Sequence, residues 1–342
     1  QLFERSLAIF DRLGACRETA LPLYGLGYVA HIKGEYAQAK QYSQRSLATY
    51  KEIEDPWGMA NVLSNLCLVA RRQGAFSEAK QYSQESLALR RKIGDQRGVA
   101  SSLSNLGLIC CDLGEYAKAK KVLQKALQIC RQLDYDIEIA HALTGLCQAA
   151  FRLGETEAAK QFGQESLAVF QDIGDRWGMA IAHNNLGHIA MELGDYGKAK
   201  HLYQEGIAIY QQTGIKSGLA NTLGNLGEVC RKLGEYAEAR QYLHEALRIA
   251  QEIGAIPIAL ESLSRLAPLL AQEGKTKQSL ELLAFTMHQP AILQATKENA
   301  KVLFSELAAG FSPEDVAAAE VRGQTREFDA VVAKVLREGG TH

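Results

Sequence analysis

Seven glycines, Gly34, Gly74, Gly114, Gly154, Gly194, Gly234 and Gly274, fall forty residues apart with no insertion or deletion between them. So regular a spacing restricts the chain to a repeat architecture, in which each unit buries its apolar side against its neighbours in sequence. Other positions keep the same register. Asparagine recurs at Asn65, Asn105, Asn185 and Asn225, each followed by a leucine and a small residue. Five residues after each turn glycine comes a small side chain: Ala39, Ala79, Ala119, Ala159, Ala199, Ala239 and Ser279. Between them sits an aromatic position, Tyr36, Phe76, Tyr116, Tyr196 and Tyr236, relaxed to Thr156 and Thr276.

Each unit is expected to be two helices. In the third, Val99 to about Asp112 carries Leu103, Leu106 and Cys110 on one face, and Tyr116 to Leu133 carries Ala119, Leu123, Leu127 and Cys130 at helical spacing. No strand is indicated. The turn glycine stands where a helix ends in a left-handed residue, which glycine adopts without a side-chain clash. At the other junction Gly94-Asp95, Gly174-Asp175 and Glu54-Asp55-Pro56 join a helix stop to an Asp N-cap and, once, a proline at the first helical position. Gly27, Gly107, Gly187 and Gly227, with Cys67 and Cys147 at the same position, are small enough to let the two helices lie close.

Charge and cysteine usage narrow the function classes. Lys plus Arg number 38 against 39 Asp plus Glu among 342 residues, so no long-range field gathers nucleic acid or an anionic membrane. No apolar run is long enough to span a bilayer, and no signal peptide is legible, which sets the expected location as cytoplasmic. Seven cysteines without a CxxC pair fit a reduced compartment, and Cys110 shares its position with Ala30, Ala70, Ala150 and Ala190, a packing role. The chain opens at Gln1 inside a helical pattern and without methionine, and is expected to be part of a longer protein.

The run Asn-Leu-Gly, a turn Gly-Glu/Asp-Tyr, an alanine and then a second helix resembles the tetratricopeptide repeat, whose helix-turn-helix units ordinarily span 34 residues. That family closes its second helix with a proline; here Lys51, Arg91, Arg131, Gln171, Gln211 and Gln251 stand in its place, and the helix runs on by more than a turn. The longer unit is similar to the repeats of kinesin light chain. The junctions DPWGMA and DRWGMA resemble the C-terminal arrays of bacterial STAND-type signalling ATPases, including LuxR-like and AfsR-like regulators.

This resemblance implies an all-α, right-handed α-solenoid, a superhelix with a concave groove. Its segments would be a second helix from a truncated repeat (1–19), six repeats (20–259), a divergent seventh (260–299) and C-terminal capping helices (300–342). Within the cap, Lys297 to Leu307 and Pro313 to Leu336 are the expected polar-faced helices that cover the last repeat.

Chemistry is mostly absent. Gly25-Leu26-Gly27-Tyr28-Val29-Ala30 matches a dinucleotide fingerprint in letters only, because no strand precedes it. There is no phosphate-binding P-loop, no metal-ligand spacing and no nucleophile with a base; no enzyme and no cofactor are expected, and any ATPase module would lie upstream of Gln1. Trp57 and Trp177 are either packed on the preceding helix or stacking platforms, with packing the expectation.

The asparagines divide in the same way. Either they bond neighbouring backbone as a preference of the repeat, or, as the resemblance implies, they face the groove and hold the main chain of a bound peptide. The groove face by helical spacing would then carry Asn65, Arg71, Arg72, Asn105, His141, Gln148, Arg152, Asn185, His188, Asn225, Arg231, Lys232 and, in the asparagine position of the last repeat, Arg265. Asp112, Glu192, Glu228 and Glu261 oppose these cations, leaving a mildly basic surface suited to carboxylates.

The expected function is recognition of a peptide, protein segment or small ligand, with no nucleic acid and no membrane bound, as the sensor that restrains an upstream nucleotide-binding module. The alternative is a structural scaffold or oligomerisation platform with no ligand in the groove.

Overall fold

The computed structural model describes residues 2–13 and 16–339; the first and last expected segments, 1–19 and 300–342, extend beyond that range. Among the described residues there are eighteen α-helices, one 3-10 turn (Cys16–Thr19) and no strand. After α1 (Leu2–Leu13) the chain forms seven hairpins. Their first helices, called A, are α2 (Ala20–Lys33), α4 (Pro56–Arg72), α6 (Gln96–Asp112), α8 (Asp136–Arg152), α10 (Arg176–Glu192), α12 (Lys216–Lys232) and α14 (Ile256–Gln272). Their second helices, B, are α3 (Tyr36–Glu52), α5 (Phe76–Lys92), α7 (Tyr116–Gln132), α9 (Thr156–Asp172), α11 (Tyr196–Thr213), α13 (Tyr236–Ile253) and α15 (Thr276–His288). Three helices follow: α16 (Gln294–Ala308), α17 (Pro313–Gln324) and α18 (Phe328–Gly339). Residues up to Ala182 form one compact unit and those from His183 a second.

Local chemistry accounts for the boundaries. Every turn glycine of the forty-residue series has positive φ, from 76° at Gly154 to 82° at Gly34 and Gly234. Asp55 accepts from the amides of Trp57 and Gly58 at 3.0 and 3.1 Å, and Asp95 and Asp175 cap α6 and α10 through Gly98 and Gly178. The cap at Asp95 starts α6 at Gln96, a turn earlier than the apolar pattern beginning at Val99 suggests.

Within each unit, A packs on B of its own hairpin, and B packs on the next A. Complementary side-chain sizes set these contacts. A methyl added at Gly107 would stand 2.4 Å from Leu123, and one at Gly187 would stand 2.6 Å from Tyr203. The corresponding pair in the second hairpin is Cys67 and Ser83, where a smaller partner leaves room for a thiol. Between hairpins, Tyr50, Arg90 and Phe170 fill the space over Gly58, Gly98 and Gly178. Where the B residue is small, as at Cys130 and Ala250, the opposing position is Glu138 and Ile258.

Cations at one position of helix B tie successive hairpins through carboxylates at varying positions of the next one. Lys40 meets Glu78 at 3.0 Å, Lys80 meets Glu115 at 3.2 Å and Lys120 pairs with Glu155; in the second unit Lys200 meets Glu235 at 2.6 Å and Arg240 pairs with Glu273. The aromatic position behaves less uniformly than its spacing implies: Tyr36 and Phe76 are buried, whereas Tyr236 is exposed.

Pro313 to Leu336 is two helices, not one, broken at Thr325–Glu327. α17 lies so close on α15 that a methyl at Gly323 would be 2.7 Å from the backbone nitrogen of Phe285. Glu281 of α15 binds both Arg322, at 2.6 Å, and Arg326, at 2.5 Å.

Candidate functional site

Two of the asparagines on the A helices, Asn65 and Asn225, anchor neighbouring helices. Asn65 is buried in α4 and its Nδ2 donates to Ser43 Oγ of α3 at 2.9 Å. Asn225 is fully buried in α12; its Nδ2 donates to Oδ1 of Asn184 at 2.8 Å and lies 3.1 Å from His188 Nε2 of α10. Asn185 is buried as well, and Asn105 is half-buried. The sequence offered backbone or bound peptide as their partners. For Asn65 and Asn225 the structure supplies a third answer, side chains of the preceding hairpin, because that face of helix A is turned inward.

Three of the six cations expected to make the face basic, Arg71, Arg231 and Arg265, are neutralised by carboxylates. Arg71 of α4 forms a two-pronged pair with Asp112 of α6, one prong at 3.1 Å. Burial opposes the Arg71 charge, but Asp112 outweighs it and the guanidinium pKa is held up. Arg231 pairs with Glu228 at 2.9 and 2.6 Å and Arg265 with Glu261 at 2.7 Å, each within its own helix. Among the described residues Arg72, Arg152 and Lys232 have no carboxylate within ion-pair distance. Arg152 is exposed, with its guanidinium 5.5 Å from the Phe151 ring.

The remaining expected residues sit among aromatic edges. His141 of α8 lies 5.3 Å from Phe170 and 5.9 Å from Trp177, ring to ring, and Gln148 is half-buried one helical stripe along. His188 meets Tyr203 edge-on at 5.8 Å. Packing on the preceding helix B, expected for both tryptophans, does not hold for Trp57. Trp57 is 57% exposed, since its neighbour Gly58 takes the packing position against Tyr50. Trp177 is half-buried and leans on His141 of an A helix.

Sequence reasoning missed Arg90. This buried guanidinium in α5 donates to Asn61 Oδ1 at 2.9 Å and Ser64 Oγ at 3.2 Å, both on α4, and lies 3.6 Å from Asp95. The available signal was its position, which holds Tyr50, Cys130, Phe170, Tyr210 and Ala250 elsewhere.

The stripe of the A helices that reaches solvent keeps Arg72, Asn105, His141, Gln148 and Arg152 from the expected set and adds other positions. It runs through Asn61, Leu68 and Arg72 on α4, Ser101, Asn105, Leu108 and Asp112 on α6, and His141, Gln148 and Arg152 on α8. Amides, hydroxyls, cations and two leucines suit it to hydrogen bonding and side-chain docking. A cleft of about 290 Å³, lined in part by Leu270, Leu282, Val331 and Val335, opens elsewhere, between α14, α15 and α18.

Comparison with known proteins agrees with this geometry. No curated protein sequence matches the chain. Among solved structures, NprR in complex with its cognate peptide NprX aligns with a TM-score of 0.62 at 18% identity, over 91% of this chain and 86% of that one. A Rap protein complexed with competence and sporulation factor aligns at 0.59 and 14% identity, over 94% and 99%. A STAND signal-transduction ATPase with a tetratricopeptide repeat sensor, from Pyrococcus horikoshii, aligns at 0.53 and 16% identity, over 89% of this chain and 47% of that one. At such identities the likeness is one of fold. The tetratricopeptide repeat profile matches residues 58–132, 98–172, 138–212, 178–252 and 218–284. Five overlapping matches, one for each step of the forty-residue register across helices that pack hairpin on hairpin, make this chain a member of the tetratricopeptide repeat family.

Proposed function

We propose that this chain is a recognition module that holds a peptide or protein segment against the solvent-facing stripe of its A helices. One observation carries the reading. Small and apolar packing positions of the A helices recur from hairpin to hairpin, while the half-buried to exposed stripe varies along α4, α6 and α8: Asn61, Ser101 and His141 at one level, Leu68, Leu108 and Gln148 at the next, Arg72, Asp112 and Arg152 at the third. A frame that needs only its packing residues leaves such a surface free to match a partner.

In this reading Arg72, Asn105, His141, Gln148 and Arg152 contact the ligand in the first unit; His188 and Lys232 are candidates on the A helices of the second unit, taken by itself. Asn65, Asn185 and Asn225 hold helices together beneath them, and Arg71, Arg231 and Arg265 fix the surface through their carboxylates. The peptide complexes of NprR and of the Rap protein, alike in fold, support a segment of chain as the ligand. The STAND sensor from Pyrococcus horikoshii, alike in fold, together with the DPWGMA and DRWGMA junctions, supports a setting as the sensor of a signalling ATPase. Ligand engagement there would shift the nucleotide-binding module between closed and open states.

Peptide display on the purified chain, followed by calorimetry on the selected sequence, tests the site. The triple change Arg72→Ala, Gln148→Ala and Arg152→Ala is expected to weaken binding at least about tenfold, since each lost contact is worth roughly 0.5–1.5 kcal/mol, while the melting temperature stays the same. Unchanged affinity would move the site off this stripe. Selection of no peptide, with self-association in light scattering, would favour the scaffold instead.

A further inference from the structure

One buried cation breaks the packing register beneath the stripe. Where helix B meets the next helix A, the other hairpins place Tyr50, Cys130, Phe170, Tyr210 and Ala250; α5 has Arg90 there. Aromatic rings fill the space over Gly58, Gly178 and Gly218, and Arg90 fills the same space over Gly98. A guanidinium is a costly substitute for a ring, because burial strips its water and partners return only part of what is lost. Arg90 is 7% exposed. Among the described residues Asp95 is the one carboxylate within ion-pair distance of it, at 3.6 Å through Oδ2, while Oδ1 is spent on the cap of α6 at Gly98. Burial lowers the guanidinium pKa against the pull of Asp95 and then of Tyr24, Glu138 and Tyr135, so the charge is incompletely compensated.

The other donors of Arg90 reach α4 and the floor beneath it. Nε donates to Ser86 Oγ at 3.2 Å, and Nη2 donates to Ser64 Oγ at 3.2 Å and to Asn61 Oδ1 at 2.9 Å. A guanidinium can only donate, so the amide atom that faces it is the oxygen. Asn61, half-buried on the stripe, therefore keeps its Nδ2 for the other side, and among the described residues no acceptor lies within hydrogen-bond distance of that nitrogen. An ordinary surface asparagine turns either end outward. This one is fixed as a donor of two hydrogens, and the cation behind its oxygen strengthens the donation. The sixth hairpin has Asn221 at the position of Asn61 but Ala250 at that of Arg90, so its amide has no guanidinium there to set it.

Within the recognition reading above, on which this rests, we propose that Asn61, oriented by Arg90, determines specificity by taking a carboxylate of the bound peptide, either an acidic side chain or a C-terminus. A carboxylate brings acceptors and no donor, which matches the two hydrogens of Nδ2. Its charge also supplements what Asp95 supplies only from 3.6 Å. A neutral carbonyl would satisfy the hydrogens and leave the charge as it is. Arg90 itself touches no ligand and is a positioning residue.

A random peptide library with free C-termini is panned on the native full chain, and the tightest selected peptide becomes the calorimetric probe. Each of its acidic residues is changed in turn to the amide, and a separate copy is amidated at the C-terminus, which tells the two carboxylate sources apart. One of these changes is expected to weaken binding to the native chain at least about tenfold. Against Asn61→Leu, which carries the side chain of Leu21, and against Arg90→Tyr, which carries that of Tyr50 and Tyr210, the same change should matter less than about twofold. In Asn61→Asp the guanidinium holds one oxygen and the other faces the peptide, so the preference should invert, the neutral peptide binding at least about tenfold tighter than the acidic one. A merely structural role would not produce that inversion. Arg90→Tyr is expected to melt no lower than the native chain, since a ring fills the same space in the first, fourth and fifth hairpins.

Equal affinity of the acidic and neutral peptides for the native chain, or a preference kept in full by Asn61→Leu, would remove Asn61 as the contact. A preference kept in full by Arg90→Tyr would remove Arg90 as its positioner. Either result leaves the stripe standing if the triple change of Arg72, Gln148 and Arg152 to alanine still weakens the same peptide. Selection of no peptide would overturn stripe and contact together. Should Arg90→Tyr fail to fold, the two Asn61 variants decide.

Discussion

Asn225 shows how one amide ties two side chains of the preceding hairpin. Its Nδ2 is committed to Asn184 and His188, so removing the amide takes a buried partner from Asn184 and a contact from His188. Asn225→Ala is expected to lower stability by about 1–3 kcal/mol in chemical denaturation, whereas the half-buried Asn105→Ala should stay within about 0.5 kcal/mol. Equal effects at the two sites would mean that Asn225 is no anchor. Size matching is as local. A methyl at Gly178 would stand 2.1 Å from Phe170 Cδ1. Gly178→Ala should therefore cost about 1–3 kcal/mol in the native background. With Phe170→Ala, which alone should cost about 3–5 kcal/mol, the double variant should lose less than the sum, because the methyl enters the space the ring vacates. Strict additivity in that cycle would refute the pairing.

At the scale of the element, turns and ion pairs divide the labour. Turns end helices through backbone conformation: Asp134 and Glu54 adopt φ of 47° and 54° at junctions where Gly94, Gly174, Gly214 and Gly254 appear in other repeats. A side chain in that region is strained by roughly 1–2 kcal/mol, partly offset by the greater freedom glycine gives the unfolded chain. Asp134→Gly is expected to stabilise by about 0.5 kcal/mol. Gly174→Ala, where a methyl meets nothing within 4 Å and only φ is at issue, should destabilise by about 1 kcal/mol. Thermal melts of the two variants moving in the same direction would refute this account. The lysine series joins hairpins without adding much, since partly exposed pairs are each worth about 0.2–1 kcal/mol and weaken in salt. Lys118 and then Lys80 hold the Glu115 carboxyl down to about 2, which keeps that pair ionised through ordinary pH.

Over the whole molecule the ends matter most, because interior hairpins are covered on both sides and terminal ones are not. At the C-terminus α17 and α18 do the covering, through Gly323 on α15, the stack of Phe285 on Phe328 at 6.4 Å, and the two arginines on Glu281. Removing residues from Pro313 onward should strip Phe285 and leave Glu281 without its partners. A lower melting temperature and increased binding of a hydrophobic dye are expected; an unchanged melt would make the segment an appendage. In this segment Val331 and Val332 are buried, while Phe311, Val316 and Val335 are half-buried. Helix break and close glycine contact, not a continuous apolar stripe, make the seal.

What the sequence determined by itself is the frame: the number of hairpins, their turns, the Asp caps at 55, 95 and 175, and the small residues between helices. These depend on backbone φ and on neighbours at fixed offsets, and a forty-residue period states the offsets outright. Tertiary structure decided which side of each helix meets water. Adjacent positions on a helix differ by about 100° of rotation, so Asn225 and Glu228 share a helix yet face different surroundings. It also decided the pairings between helices: Arg71 with Asp112, Arg90 with Asn61 and Asn65 with Ser43. Such pairs rest on where a neighbouring helix stands and how far a side chain reaches, and the periodicity of one helix carries neither.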